Sequence, residues 1–193
     1  MFTVVSEPVA AGFVQSLSHP GGNITGFANL EPSVGVKWLE LLKEIAPRIA
    51  RVALMFNPDT GSAPFSIQSS RLAQAAAEKF AMQAIVTSVH DPAEIESVVA
   101  KLGAEPNGGL ILPQDSFTAV HRTLIIDLAA RYQIPTVYAF RFFTAEGGLV
   151  SYGIDVVDQM RRAATYIDRI LRGEKPADLP VQQPTKLDRK SVV

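Results

Sequence analysis

The sequence has 193 residues, of which 47% are hydrophobic and 19% are charged, so it carries enough apolar material for a folded core and is not intrinsically disordered. Its 18 Lys and Arg residues nearly balance 19 Asp and Glu residues, and no basic block is present, so a nucleic-acid partner is not expected. The absence of cysteine excludes thiolate metal ligands, disulfides and cysteine nucleophiles, and no apolar run approaches the roughly 20 residues that span a membrane.

The residues before Arg51 predict only small pieces of structure. Residues 3–5 form a predicted strand, residues 9–17 a short apolar helix, and residues 24–25 a second short strand after a Pro-Gly-Gly-Asn loop. These pieces are too few to build a domain by themselves.

From Arg51 onward, short β-branched runs alternate with amphipathic segments of helical length. This alternation is typical of a parallel β-sheet covered by helices on both faces, and so of an α/β protein. Five strands are predicted, at residues 51–56, 84–89, 109–113, 135–139 and 149–152.

The predicted helices have one apolar face each. The helix around Trp38 repeats apolar residues at helical spacing, and its lone tryptophan is expected in the core. Asp91-Pro92-Ala93-Glu94 supplies an N-cap residue, Pro at the first helical position and Glu at the third, which marks the start of the next helix. A last long helix, starting at Val156, ends at Gly173.

Ligands of open parallel sheets bind beyond the carboxyl ends of the strands, so the loops that follow the predicted strands are the candidate site. Carboxylate, amide, hydroxyl, imidazole and aromatic side chains in these loops suit a small polar ligand with an ammonium or hydroxyl group. The predicted ligand-binding residues are Asn57, Thr60, His90, Asp115, Ser116, Phe140, Tyr152 and Asp155.

The aspartates among these loops have a second interpretation. Asp59, Asp91 and Asp155 each precede a predicted helix, where an aspartate more often caps the helix than contacts a ligand. Asp115 is open to both interpretations.

Sequence patterns of catalysis are weak. The three histidines have no spacing that places two on one helical face, so no metal site is predicted. The sequence lacks G-x-S-x-G, G-x-x-x-x-G-K-[ST] and G-x-G-x-x-G, so neither a nucleophile elbow nor a phosphate-binding loop is predicted. We therefore predict no catalytic residue, no cofactor and no enzymatic activity.

Several stretches resemble the ABC-transporter substrate-binding proteins of the tryptophan/tyrosine-binding type. They are Ser6 to Val14, Pro20-Gly21-Gly22-Asn23-Ile24-Thr25-Gly26-Phe27, Lys37 to Pro47, Leu149-Val150-Ser151-Tyr152-Gly153 and Pro176-Ala177-Asp178-Leu179-Pro180-Val181-Gln182. The resemblance implies a periplasmic-binding-protein-like fold, in which two flavodoxin-like lobes enclose a small molecule. It also implies that a permease and an ATPase are the partners of the protein. It also implies an extracytoplasmic, not membrane-spanning protein, either periplasmic or a lipoprotein.

The resemblance further implies a domain organisation. Residues 1–30 correspond to a remnant of the first lobe, residues 31–173 to a complete second lobe, and residues 174–187 to a segment returning to the first lobe. The front of the first lobe and the export signal are expected to lie outside this sequence. Residues 188–193 match one reading frame of a sequencing adapter, and we expect them to be a non-native tail.

Two other functions remain open. The same lobes could form the ligand-sensing domain of a regulator or sensor kinase, which would carry a DNA-binding, membrane or kinase segment. An enzyme on a flavodoxin-like sheet would carry a nucleotide loop or a catalytic cluster.

Overall fold

The computed structural model describes residues 1–184 and 187–191, which form two compact units. Of the described residues, one unit comprises 1–31, 154–184 and 187–188, and the other comprises 32–153 and 189–191. We call them the small unit and the sheet unit.

The sheet unit alternates strands and helices along the chain, as predicted. Its elements are α1 (Val34–Ile45), β3 (Arg51–Phe56), α2 (Ala63–Ala76), β4 (Gln83–Ser88), α3 (Pro92–Gly103), β5 (Gly108–Leu112), α4 (Ser116–Val120), α5 (Arg122–Arg131), β6 (Thr136–Tyr138), α6 (Arg141–Ala145) and β7 (Val150–Ile154), numbered after the strands β1 (Phe2–Val5) and β2 (Gly26–Ala28) of the small unit. The strand bounds agree with the sequence prediction to within two residues at each end.

The strands of this unit form one sheet in the order β4-β3-β5-β6-β7, and Leu187–Ser191 (β8) follows β7 at the edge. The pairs from β4 through β7 are all parallel. The chain runs from β3 outward to β4 and then returns past β3 to β5, so the direction of winding reverses between β3 and β5. This is the flavodoxin-like order, and its reversal is the point where such sheets bind ligands.

Buried side chains hold helices against the sheet. Val99 of α3 and Ile125 of α5 pack over Met55 and Leu110 in one fully buried cluster. Trp38 of α1 is also buried, as predicted, and its indole N–H donates to the carbonyl oxygen of Tyr152 at 2.8 Å. The tryptophan therefore fixes α1 against β7.

The small unit contains a two-stranded parallel sheet of β1 and β2 and the long helix α7 (Val156–Leu171). Phe27 and Tyr166 meet edge to face with their centroids 5.1 Å apart, and Ala163 and Leu179 complete this cluster. The Tyr166 hydroxyl donates to the Pro180 carbonyl oxygen at 2.9 Å.

This packing differs from the predicted domain organisation, which placed residues 156–171 in the second lobe. The helix belongs to the small unit because its buried side chains contact Phe27 and Leu179. Helical periodicity predicts that a helix exists, but it does not predict which neighbours cover its apolar face.

The prediction of a helix at residues 9–17 is wrong. Only a turn forms, in which the Ala11 amide donates to the Glu7 carbonyl oxygen and the Phe13 amide to the Pro8 carbonyl oxygen. Gly12 adopts φ +74°, a left-handed conformation that ends the turn. A glycine inside a short apolar run thus acts as a helix stop.

The second short strand begins at Gly26 rather than at Ile24. A Cβ atom on Gly26 would overlap the Phe2 carbonyl oxygen, so the bare glycine backbone allows β1 to come this close. The β-branched pair Ile24 and Thr25 was therefore a misleading strand signal.

Candidate ligand-binding site

Two loops face each other where the winding of the sheet reverses. One follows β3 and contains Asn57 and Thr60, and the other follows β5 and contains Asp115 and Ser116. Both lie at the carboxyl edge of the sheet, the edge at which ligands of parallel α/β sheets bind. Four predicted residues therefore flank the crevice that the topology creates.

Hydrogen bonds accepted by Asp115 join these two loops. One carboxylate oxygen, Oδ2, accepts from the Asn57 amide at 3.3 Å and from the Thr118 amide at 2.9 Å. The other, Oδ1, accepts from the Thr60 hydroxyl at 2.7 Å. Asp115 is only 1% exposed, so it links the loops from beneath their surface.

The two interpretations of Asp115 from sequence were helix cap and ligand contact. The bond from Thr118 makes it the N-cap of α4. Because its carboxylate is buried and both oxygens accept hydrogen bonds, it has little surface to offer a ligand directly. Ser116, the next residue, is exposed beside it.

His90 lies at the same carboxyl edge of the sheet, in the loop that follows β4. Its Nδ1 lies 3.0 Å from Glu94 Oε2, and its Nε2 lies 3.7 Å from Asp59 Oδ2 on the loop after β3. The imidazole thus lies between two exposed carboxylates, one on the loop after β3 and one in the first turn of α3. The Asp59 contact could not be predicted from sequence, because Asp59 lies 31 positions away along the chain, whereas Glu94 is a local neighbour of His90.

Asp91 and Asp155 are N-cap residues, as the sequence indicated. Asp91 accepts from the Glu94 amide, and Asp155 accepts from the Asp158 amide. Asp59 is not an N-cap, because α2 begins four residues later, at Ala63, with Ser62 at the N-cap position. The turn at Asn57, whose Oδ1 accepts from the Asp59 amide at 2.7 Å, delays the helix.

The remaining candidates lie on other parts of the structure. Phe140 follows β6 and stacks on Phe142 with centroids 5.0 Å apart, which leaves an aromatic surface at the carboxyl edge. Tyr152 lies within β7 rather than after it. Asp155 belongs to the small unit, so it is not among the residues that the sheet unit brings together.

A cavity of about 460 Å³ lies away from these residues, at the opposite edge of the sheet. Its walls precede β3, β5 and β6 and include Pro47, Asn107 and Tyr132. None of the predicted ligand-binding residues lines it. We place the candidate site at the carboxyl edge because polar side chains converge there and the winding reverses there.

In the described ranges 1–184 and 187–191, no three His, Asp or Glu side chains gather in a group that could hold a metal ion. Across the same residues, no helix is both long and apolar enough to cross a bilayer.

The fold and the site together define a class of protein: an α/β protein with polar loops at the winding reversal of a flavodoxin-like sheet. The sequence profile described as ABC transporter substrate binding protein matches residues 1–192. The chain belongs to this family, and its fold is periplasmic-binding-protein-like, as predicted.

Known relatives agree with this assignment. The chain is 26% identical over 194 residues to a tyrosine-binding protein of Clostridioides difficile, a match that covers 100% of this chain and 53% of the relative. A structure of an ABC domain from Streptococcus pneumoniae in complex with L-Trp matches with a TM-score of 0.79 and 25% identity, over 96% of this chain and 62% of that one. A conserved domain protein from Vibrio cholerae matches with a TM-score of 0.82 and 26% identity, over 99% and 62%.

The chain therefore spans about half of the curated relative and about three fifths of these solved chains.

Proposed function

We propose that this chain is the ligand-binding part of a solute receptor for an ABC importer. Its ligand is a small polar molecule, an amino acid or a related compound, held at the carboxyl edge of the sheet unit. The observation that carries this proposal is the pair of polar loops, joined by Asp115, at the winding reversal. Membership of the substrate-binding family supports the transport role.

The chemistry of this edge favours a ligand that carries a positive or donor group. Asp59 and Glu94 place two exposed carboxylates beside the loops, and a carboxylate accepts strong hydrogen bonds from an ammonium group. Phe140 offers an aromatic surface nearby for an apolar or aromatic part of the ligand. Because relatives bind tyrosine and L-Trp, these two amino acids are the first ligands to test.

The partners and location follow from the same proposal. A receptor of this family delivers its ligand to a permease and an ATPase and works outside the cytoplasm, in the periplasm or as a lipid-anchored protein. It binds reversibly and does not transform its ligand.

We also propose that the small unit is completed by further α/β structure in the full-length protein. Helix α7 exposes an apolar stripe of Val157 (63% exposed), Met160 (48%), Ile167 (47%) and Leu171 (81%). A stripe of this size on one helix face is typical of a packing surface. The additional length of the relatives supports further strands of the same lobe as its cover.

Ligand binding is tested by thermal denaturation and calorimetry of the full-length gene product with L-tyrosine, L-tryptophan and small carboxylates. A ligand that binds only the folded state raises the unfolding temperature by mass action. Ser116→Trp places a large ring over the crevice and is expected to weaken binding by more than about tenfold (about 1.4 kcal/mol).

The matched control is Ser97→Trp, which introduces the same ring at an exposed position on α3. It is expected to leave the affinity unchanged. Turnover of a substrate without any stable complex would favour the enzyme alternative, and equal losses in both variants would place the ligand elsewhere.

A further inference from the structure

The Thr60 hydroxyl is in contact with three oxygen atoms. Its Oγ1 lies 2.7 Å from Asp115 Oδ1, 3.2 Å from the Asn57 carbonyl oxygen and 3.0 Å from the Ser62 hydroxyl. A hydroxyl group carries one hydrogen and two lone pairs. Only one of these contacts can therefore receive the Thr60 proton.

The geometry decides which contact receives it. A carboxylate oxygen can only accept, and a bond to a charged acceptor is roughly twice as strong as one to a neutral acceptor. The contact with Asp115 is also the shortest of the three. Thr60 therefore donates to Asp115, and its lone pairs remain acceptors on a half-buried residue at the rim of the crevice.

Hydrogen bonds and burial hold the Asp115 carboxylate in one orientation. Its other oxygen accepts from the backbone amides of Asn57 and Thr118. Together with the Thr60 hydroxyl, Asp115 thus accepts hydrogen bonds from three donors. Its burial keeps water from competing for these bonds. Asp91 performs only the capping part of this role at α3, and it is exposed.

We propose that Asp115 is a positioning residue that orients the Thr60 hydroxyl as a hydrogen-bond acceptor and thereby selects ligands with a donor, such as an ammonium group, at this point of the crevice. The inference rests on the proposed function, because it names a specificity device of the same site. Asp115 acts through Thr60 and does not touch the ligand.

The test is a double-mutant cycle on the full-length gene product, with calorimetry of L-tyrosine and of 3-(4-hydroxyphenyl)propionate, which lacks the amine. Asp115→Asn keeps a good capping residue but can offer an N–H to Thr60 and release its orientation. We expect this variant to bind L-tyrosine at least about tenfold more weakly, in line with the loss of one charged hydrogen bond. We expect its affinity for the amine-free probe to change less than threefold.

Thr60→Val removes the acceptor without touching the α4 cap, and it is expected to weaken L-tyrosine binding to a similar degree. In the double variant the two losses should not add, and Thr60→Ser should restore binding. Asp91→Asn, the matched capping control, should leave the affinity for both probes within about twofold of the original protein.

Additive losses, equal losses for both probes, or the same loss in Asp91→Asn would each overturn the inference and leave the proposed function intact. If the unmodified protein binds neither L-tyrosine, L-tryptophan nor any other amine-bearing solute, the proposed function and this inference both fail.

Discussion

Aspartates at the carboxyl edge of the sheet unit perform different tasks although they look alike in the sequence. Asp91 caps a helix at the surface, whereas Asp115 caps a helix and also joins two loops from a buried position. Asp59 caps no helix and faces His90. The difference is made by the neighbouring loops, because an aspartate accepts whatever donors the fold brings to it.

Tyr138 is a buried ionisable residue whose effect depends on pH. Burial raises the pKa of its hydroxyl above the usual 10.0, and a hydrogen bond with Thr136 opposes this shift only in part. The folded state therefore keeps the tyrosine proton at pH values where the unfolded chain loses it. The resulting stability is complete below pH 10 and is lost as the pH rises further.

We expect Tyr138→Phe to reduce the alkaline loss of stability by up to about 1.4 kcal/mol per pH unit above about pH 10. The measurement is urea unfolding at a series of pH values. Tyr132→Phe, at a partly exposed position, is the control and should leave the slope unchanged. Equal slopes for the original protein and Tyr138→Phe would show that Tyr138 ionises normally.

Helices α1 and α2 pack so closely that a glycine is required between them. A Cβ atom on Gly35 of α1 would overlap the Ser69 carbonyl oxygen of α2, a backbone atom that cannot move by itself. Helix propensity alone favours alanine over glycine by about 1 kcal/mol. Overpacking costs about 1–3 kcal/mol, so the steric effect is the larger of the two.

Gly35→Ala is thus expected to destabilise the sheet unit by up to about 2 kcal/mol, measured as the free energy of unfolding in urea. Gly61→Ala is the control, because nothing lies within 4 Å of the position its Cβ would take. It should be neutral or slightly stabilising. A stabilised Gly35→Ala would mean that the helices can separate at little cost.

The exposed apolar stripe of α7 gives a test of whether further structure covers this helix in the full-length protein. If further strands cover it in the full-length protein, Ile167→Lys there buries an unpaired charge and should cost about 2 kcal/mol or more of unfolding free energy. In the 193-residue chain, where Ile167 is 47% exposed, the same change should cost less than about 0.5 kcal/mol.

The control for this comparison is Thr165→Lys, at an exposed position of α7 outside the stripe. Chemical denaturation of both forms provides the measurement. Equal tolerance of Ile167→Lys in the two forms would show that the stripe stays uncovered in the full-length protein.

Periodicity and turn chemistry alone determined most of the fold. The strand at Arg51–Phe56 was predicted with its observed bounds, and the buried Trp38 stripe and the Asp91 cap were predicted correctly. Such features depend on residues a few positions apart, which hydrophobic spacing and capping preferences report directly. The carboxyl-edge loops were predicted for the same reason, since they follow recognisable strands.

Only the tertiary structure decided how these pieces combine. Asn57 and Asp115 are 58 positions apart and meet because β3 and β5 are neighbours in the sheet, an order that no local pattern encodes. The unit to which α7 belongs, and the orientation of the Thr60 hydroxyl, likewise depend on contacts between distant segments. The sequence alone therefore determined the loops that follow the strands, and the packing of the strands determined which of their residues come together.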